Sequence, residues 1–214
     1  MRPSLVIFDC DGVLVDSEPP SNQVMQQSLS KYGLDMSLEE CMNAFVGSTM
    51  KNAMATAISL GADLPDNWIA EVYDETYATL RNGVPLVDSI AQLLGTLKAA
   101  DIPFCVASNG SEDKMKITLG QNGLWDTFSD RMFSAHTLGV AKPDPDLFLH
   151  AAAHFQCSPN DCVVVEDSGS GVTAAIRANM RCLAYAPHSD GKNLRDLGAE
   201  VFKNMAAVPD LLGL

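Results

Sequence analysis

Leu5-Val6-Ile7-Phe8 is an uninterrupted apolar run that stops abruptly at Asp9, and two later runs in the chain are built the same way. A short continuous run with β-branched and aromatic members, closed by polar residues, reads as a strand buried on both faces, the habit of parallel sheets. The second run, Pro103-Phe-Cys-Val-Ala-Ser108, follows apolar residues at helical spacing in Ala91-Gln-Leu-Leu-Gly-Thr-Leu-Lys98. The third, Cys162-Val-Val-Val-Glu166, follows a helical stretch from Pro145 to Phe155. Each is succeeded by a polar segment able to start a helix. Strands alternating with helices in this way imply an α/β fold with a doubly wound parallel sheet.

Residues 18–82 break the alternation. Helical stretches near 20–32, 38–45, 49–60 and 66–80 follow one another with no strand between them. They are expected to form an all-helical domain inserted after the first strand, which leaves residues 1–17 and 83–214 as the α/β core. The turn-rich segments Ser17-Glu18-Pro19-Pro20 and Asn82-Gly83-Val84-Pro85 flank the insert and are the expected hinges. A chain of 214 residues, 47% of them hydrophobic, can bury one sizeable core and carry such an accessory domain.

Fourteen Lys plus Arg stand against 27 Asp plus Glu, a formal charge of −13 that repels nucleic acid and anionic membrane surfaces. A phosphorylated small molecule would feel the same repulsion, so a phosphate site must be made attractive locally by a metal, a lysine or backbone N–H groups. The six cysteines, at 10, 41, 105, 157, 162 and 182, show no Cys-x-x-Cys pair and no zinc-ligand spacing, and read as reduced, mostly buried thiols. The apolar run at residues 5–8 is far too short for a signal peptide or a membrane span, so the cytoplasm is the expected compartment. A monomer and a weak homodimer are equally compatible with the sequence.

In open α/β sheets ligands bind at the carboxyl ends of the strands, so the residues just after each apolar run bear comparison. They are Asp9, Asp11, Gly12 and Asp16 after the first; Ser108, Asn109 and Gly110 after the second; Glu166, Asp167 and Ser168 after the third. Lys142 sits in the rigid turn Ala141-Lys142-Pro143-Asp144-Pro145. Carboxylates from two strand ends, with water and a phosphate oxygen, suit octahedral Mg²⁺. A carboxylate held ionised by the metal suits Asp9 to in-line attack on phosphorus. Asp11, two residues on, can protonate the leaving oxygen and later take a proton from water. Ser108 and Asn109 would hydrogen-bond the phosphoryl oxygens, and Lys142 would offset their charge. Asp16 is read as bracing the loop. Lys114 either neighbours the phosphate site or extends into solvent.

Taken in order, Asp9-Cys-Asp11-Gly12-Val-Leu-Val-Asp16, Ser108-Asn109-Gly110, Lys142-Pro143-Asp144-Pro145 and Glu166-Asp167-Ser168-x-x-Gly171 resemble the four motifs of the haloacid dehalogenase superfamily, and the match spans essentially the whole chain. The resemblance implies a phosphatase with Asp9 as nucleophile and Asp11 as acid and base. It also implies that the backbone carbonyl of Asp11 binds metal, that Asp167 is a direct ligand and that Glu166 is a ligand through water. The helical insert resembles the cap of the subgroup that includes β-phosphoglucomutase and phosphoglycolate phosphatase. Within it, the segment from Cys105 to Met115 is most similar to sugar-phosphate phosphatases. The cap loop Gly47-Ser48-Thr49-Met50-Lys51-Asn52 occupies the place where related enzymes read their substrates. Lys51 and Asn52 therefore either contact the substrate or form a solvated helix start.

Other activities fit less well. A mutase of the β-phosphoglucomutase kind would carry an Arg after the small residues of the cap loop and a His shortly after the first motif. This chain has Met50 and Pro19-Pro20-Ser21 in those regions. A haloacid dehalogenase needs no metal and no second acid, so Asp11, Glu166 and Asp167 would have no task. A binding protein that merely kept the fold would be expected to have lost reacting residues, and none is lost here.

Overall fold

The computed structural model describes residues 2–45 and 48–214, and they divide into two compact units: Met1–Asp16 with Pro85–Leu214, and Ser17–Val84. In chain order the first unit holds β1 (Leu5–Phe8), then, after the second unit, α5 (Ile90–Ala99), β2 (Phe104–Ser108), α6 (Glu112–Gln121), α7 (Trp125–Phe128) and β3 (Met132–Ser134). It continues with α8 (Ala135–Leu138), α9 (Asp146–His154), β4 (Cys162–Glu166), α10 (Gly169–Arg177), β5 (Arg181–Tyr185), α11 (Lys192–Asp196), β6 (Glu200–Phe202) and α12 (Val208–Leu212). The second unit is helical: α1 (Glu18–Lys31), α2 (Leu38–Phe45), α3 (Met50–Ser59) and α4 (Trp68–Leu80), each starting and ending within two residues of the span its sequence suggests.

Among the described residues the strands form one six-stranded parallel sheet in the order β3-β2-β1-β4-β5-β6. The chain works outward from β1 to one edge and then returns to build the other half, so the switch point lies between β1 and β4, with β2 on the far side of β1. Every residue of β1, β2 and β4 is buried, as their unbroken apolar runs require. The sequence marks these three strands and leaves β3, β5 and β6 unmarked. β3 and β6 are three-residue strands at the sheet edges, and β5 is flanked by half-buried Arg181 and Tyr185, so none presents a long apolar run.

Alternating strand residues supply the two faces. Leu5, Ile7, Cys105, Ala107, Cys162 and Val164 join Leu147, Phe148 and Ala151 of α9 and Val172 and Ala175 of α10 in one core cluster. Val6, Phe8, Phe104 and Val106 take the alternate positions, with the Phe104 ring edge-on to Phe8 and Phe128 at centroid distances of 6.3 and 5.6 Å. Each such large side chain removed from water stabilises the fold by about 1.5–3 kcal/mol.

The helical unit has its own centre, in which Trp68, Leu29, Phe45, Ala53, Ala57 and Val72 pack together. The Trp68 indole N–H donates to Ser28 Oγ at 2.9 Å, which satisfies the polar end of a fully buried ring. Ser37 and Glu40 form a reciprocal capping box at the start of α2, the Ser37 N–H donating to Glu40 Oε2 and the Glu40 N–H to Ser37 Oγ. The six cysteines are free thiols, five of them buried, and among the described residues no helix is long and apolar enough to cross a membrane.

Candidate active site

The carboxyl ends of β1, β2 and β4 lie side by side, and the polar residues that follow them converge there. Asp9 leaves β1 still anchored to the sheet, its N–H donating to Val165 O of β4 at 2.9 Å. The next residues turn tightly, with Leu14 N–H donating to Cys10 O and Gly12 N–H to Val15 O. Gly12 has a left-handed φ of +74°, and a Cβ there would fall on the Asp167 carboxylate. Glycine is thus required twice over, for the turn and for the close approach of an acid from β4.

Lys142 is 6% exposed and bridges two strand ends, its Nζ donating to Asp9 Oδ1 at 2.5 Å and to Glu166 Oε1 at 2.7 Å. The ammonium also lies 5.0 Å from the centre of the Phe148 ring. Glu166 is wholly buried, and its second oxygen accepts from Asp167 N at 2.8 Å, Ser168 N at 2.7 Å and Ser168 Oγ at 2.9 Å. Its carboxylate fills the place a Cβ of Gly171 would take, the physical reason for glycine in Glu166-Asp167-Ser168-x-x-Gly171. Ser168 Oγ in turn accepts from Gly171 N at 3.1 Å and caps α10.

Ser108 is buried at the end of β2, and its Oγ accepts from Gly110 N at 3.0 Å. Gly110 O is held by Ser134 Oγ at 2.8 Å. Asn109 spends its side chain on the backbone of Lys142: Oδ1 accepts from Lys142 N at 2.9 Å, and Nδ2 donates to Lys142 O at 3.3 Å. Lys114, from the first turn of α6, turns inward to Asp11, with Nζ and Oδ1 2.9 Å apart. Of the residues singled out in the sequence, Asp9, Asp11, Ser108, Asn109, Lys114, Lys142, Glu166 and Asp167 all belong to this edge of the sheet. Asp16 is exposed and contributes its backbone N–H to Pro85 O at 2.9 Å. In the helical unit Lys51 and Asn52 are exposed in the first turn of α3, where the Asn52 N–H donates to Thr49 Oγ1. Gly47 of the same loop lies outside the described residues.

Burial pushes the Asp9 carboxyl up to about 7; Lys142 opposes this, while Glu166 and Asp11 add to it. Burial alone would lower Lys142, but the facing Asp9 and Glu166 outweigh it and hold the ammonium above the ordinary lysine range. Lys114 is likewise pulled down by burial and raised on balance by Asp11. One carboxylate oxygen from each of Asp9, Glu166 and Asp167 lies within 4.8 Å of the others. Three hard oxygen donors gathered at a buried strand edge fit Mg²⁺ and not a thiolate- or imidazole-seeking metal.

Acids from two neighbouring strand ends, a buried lysine tying them together and a hydroxyl from a third strand mark this as an enzyme site built on a doubly wound sheet. The chain belongs to the haloacid dehalogenase-like hydrolases, whose family model matches residues 6–185. A curated relative, 6-phosphogluconate phosphatase of Escherichia coli, is 28% identical over 212 residues, covering 98% of this chain and 95% of its own. Among solved structures, a conserved haloacid dehalogenase-like protein of Agrobacterium tumefaciens superposes with a TM-score of 0.89 at 35% identity, covering 98% of this chain and 97% of its own. A family hydrolase of Deinococcus radiodurans, solved with bound phosphate and sodium, superposes with a TM-score of 0.84 at 28% identity, covering 99% and 97%.

Three contacts at the site escape sequence reasoning. The capping signal of Ser168 is legible in Asp-Ser-x-x-Gly. By contrast, the grip of Asn109 on Lys142, the Lys114–Asp11 pair and the packing of Gly171 on Glu166 depend on where the fold brings separate segments together.

Proposed function

We propose that this protein is a Mg²⁺-dependent phosphatase that takes phosphate from a small phosphorylated metabolite through an aspartyl-phosphate on Asp9. The observation that carries the reading is the buried Asp9–Lys142–Glu166 array beside Asp167, at the carboxyl edge of a haloacid dehalogenase-like sheet. Asp9 attacks phosphorus opposite the leaving oxygen. The phosphorus–oxygen bond to the alcohol breaks, and Asp11 gives the departing oxygen its proton. In the second half Asp11 takes a proton from water, the water oxygen attacks phosphorus, and inorganic phosphate leaves with Asp9 restored. The Ser108 hydroxyl and the Asn109 backbone N–H hydrogen-bond the non-bridging oxygens, because the Asn109 side chain is already engaged with Lys142. Lys142 offsets charge as it builds on the phosphoryl group.

Asp9, the backbone carbonyl of Asp11, Asp167 and, through water, Glu166 would hold Mg²⁺. When bound, the ion neutralises the acids and the phosphoryl oxygens, which keeps Asp9 ionised. Residues 18–82 are proposed as the cap domain that sets specificity, with Lys51 and Asn52 as the candidate substrate readers. The similarity to 6-phosphogluconate phosphatase favours sugar phosphates or sugar-acid phosphates as substrates.

Phosphate release from a panel containing 6-phosphogluconate, hexose phosphates, phosphoglycolate and β-glucose 1-phosphate, with Mg²⁺ and with EDTA, tests the reading. Metal-dependent release, strongest with one compound, is expected. No release, with glucose phosphates interconverted once a bisphosphate primer is added, would replace the phosphatase with a mutase.

A further inference from the structure

The mechanism above uses the buried Lys142 but leaves another lysine, half-buried, without a task. Lys114 enters from the first turn of α6, where Ser111 Oγ accepts its backbone N–H at 3.1 Å and fixes the turn. A lysine there could extend into water at little cost. Instead its side chain is only 19% exposed and reaches Asp11 Oδ1 at 2.9 Å. Both partners lie against residue 110: a Cβ there would stand 3.5 Å from Lys114 Cδ and 3.5 Å from Asp11 Oδ2, ordinary contact distance to each. The Asp11 carboxylate thus has the Lys114 ammonium on Oδ1, with Oδ2 on the side of residue 110. Carboxylates on flexible loops sample several rotamers, and proton transfer needs one of them held within hydrogen-bond reach of the reacting oxygen.

We infer that Lys114 is a positioning residue for Asp11, holding its carboxylate by Oδ1 so that the acid that protonates the leaving oxygen is fixed before substrate arrives. Lys114 itself exchanges no proton and touches no phosphate; the proton passes between Asp11 and the leaving oxygen, and back from water. The inference rests on the assignment of Asp11 as general acid in the proposed phosphatase.

Leaving-group dependence separates this role from simple charge balance. An alkyl alcohol leaves slowly unless protonated, whereas p-nitrophenolate leaves as the anion. The comparison should use kcat/KM, which reports the steps up to leaving-group departure and is not masked by a slow second half-reaction. The ratio of the two substrates on one sample also cancels any fraction of misfolded enzyme.

For Lys114→Met, kcat/KM with the fastest-turned-over alkyl phosphate of the panel is expected to fall by about 10- to 100-fold, part of what general acid catalysis supplies. The value with p-nitrophenyl phosphate should change by less than about threefold by the same argument, and Lys114→Arg should restore most of the alkyl activity. A parallel fall with both substrates, or no change with either, would overturn the inference. Asp11→Asn serves as the reference: it should show the same bias more strongly. If it shows none, the assignment of Asp11 fails, independently of Lys114.

Discussion

In the α/β unit three charged side chains, Asp9, Lys142 and Glu166, are buried, whereas the buried polar side chains among the described residues of the helical unit are Ser17, Ser28 and Thr76, none of them charged. The helical unit is held by apolar packing with one well-placed hydrogen bond under Trp68. The sheet edge instead gathers charges whose removal from water is expensive, and balances them against one another. Glu166 illustrates the difference: with four donors on its two oxygens it fixes both Lys142 and the start of α10, and no apolar residue could do either. The interior of the helical unit is built for packing. The sheet edge accepts charge burial for the sake of chemistry, so substitutions in the two regions should fail in different ways.

The largest separation is expected from Asp9→Asn, which keeps side-chain volume and removes the nucleophile. Turnover should drop by about 10⁴-fold or more, while the melting temperature stays close to that of the parent. Next comes Lys142→Ala, which strands Asp9 and Glu166 without their shared cation. Denaturant unfolding should show a loss of about 3–5 kcal/mol in the metal-free protein. Added Mg²⁺ should recover part of that loss. In the helical unit Trp68→Phe removes the donor to Ser28 and should lower stability by about 1–2 kcal/mol. Calorimetric Mg²⁺ affinity below the melting point should remain at the parent value; a large change there would break the contrast between the regions.

The smallest effect is the pH dependence of metal binding. Asp9 holds its proton up to about 7 against an ordinary 3.8, so a proton competes with the cation. Apparent Mg²⁺ affinity should weaken by about tenfold for each pH unit below about 7 and level off above it. The sign for folding is the reverse of the usual carboxylate case. A raised folded-state value favours the metal-free fold at low pH, and this contribution is lost as pH rises through about 7.

Much of this is written in the local sequence. An apolar run that ends on Asp9-Cys-Asp11-Gly12, and another that ends on Glu166-Asp167-Ser168, place acids at strand ends because a buried strand can only end where the chain turns polar. Lys142 is legible from the two prolines that follow it, Pro143 and Pro145. β3 and β6 are not, since a three-residue edge strand takes its conformation from the neighbour it pairs with, and β5 is not because Arg181 and Tyr185 shorten its apolar run. Nor are the partners of Asn109 and Lys114. The first lies 33 residues away and the second on another strand's loop, and no periodicity encodes a contact of that kind. The glycines fall between: Gly12 and Gly171 are visible in the motifs, but their reason, an acid packed where a Cβ would be, needs the fold.

The central claim, a covalent phosphate on Asp9, is tested most directly by mixing enzyme with substrate and Mg²⁺, quenching in borohydride and mapping the peptide that spans residue 9 by mass spectrometry. Reduction of an aspartyl-phosphate leaves homoserine. Homoserine at position 9, absent with EDTA and absent without substrate, is the expected result. Rapid phosphate release with position 9 unmodified and the label at Asp167 or another carboxylate would contradict the account.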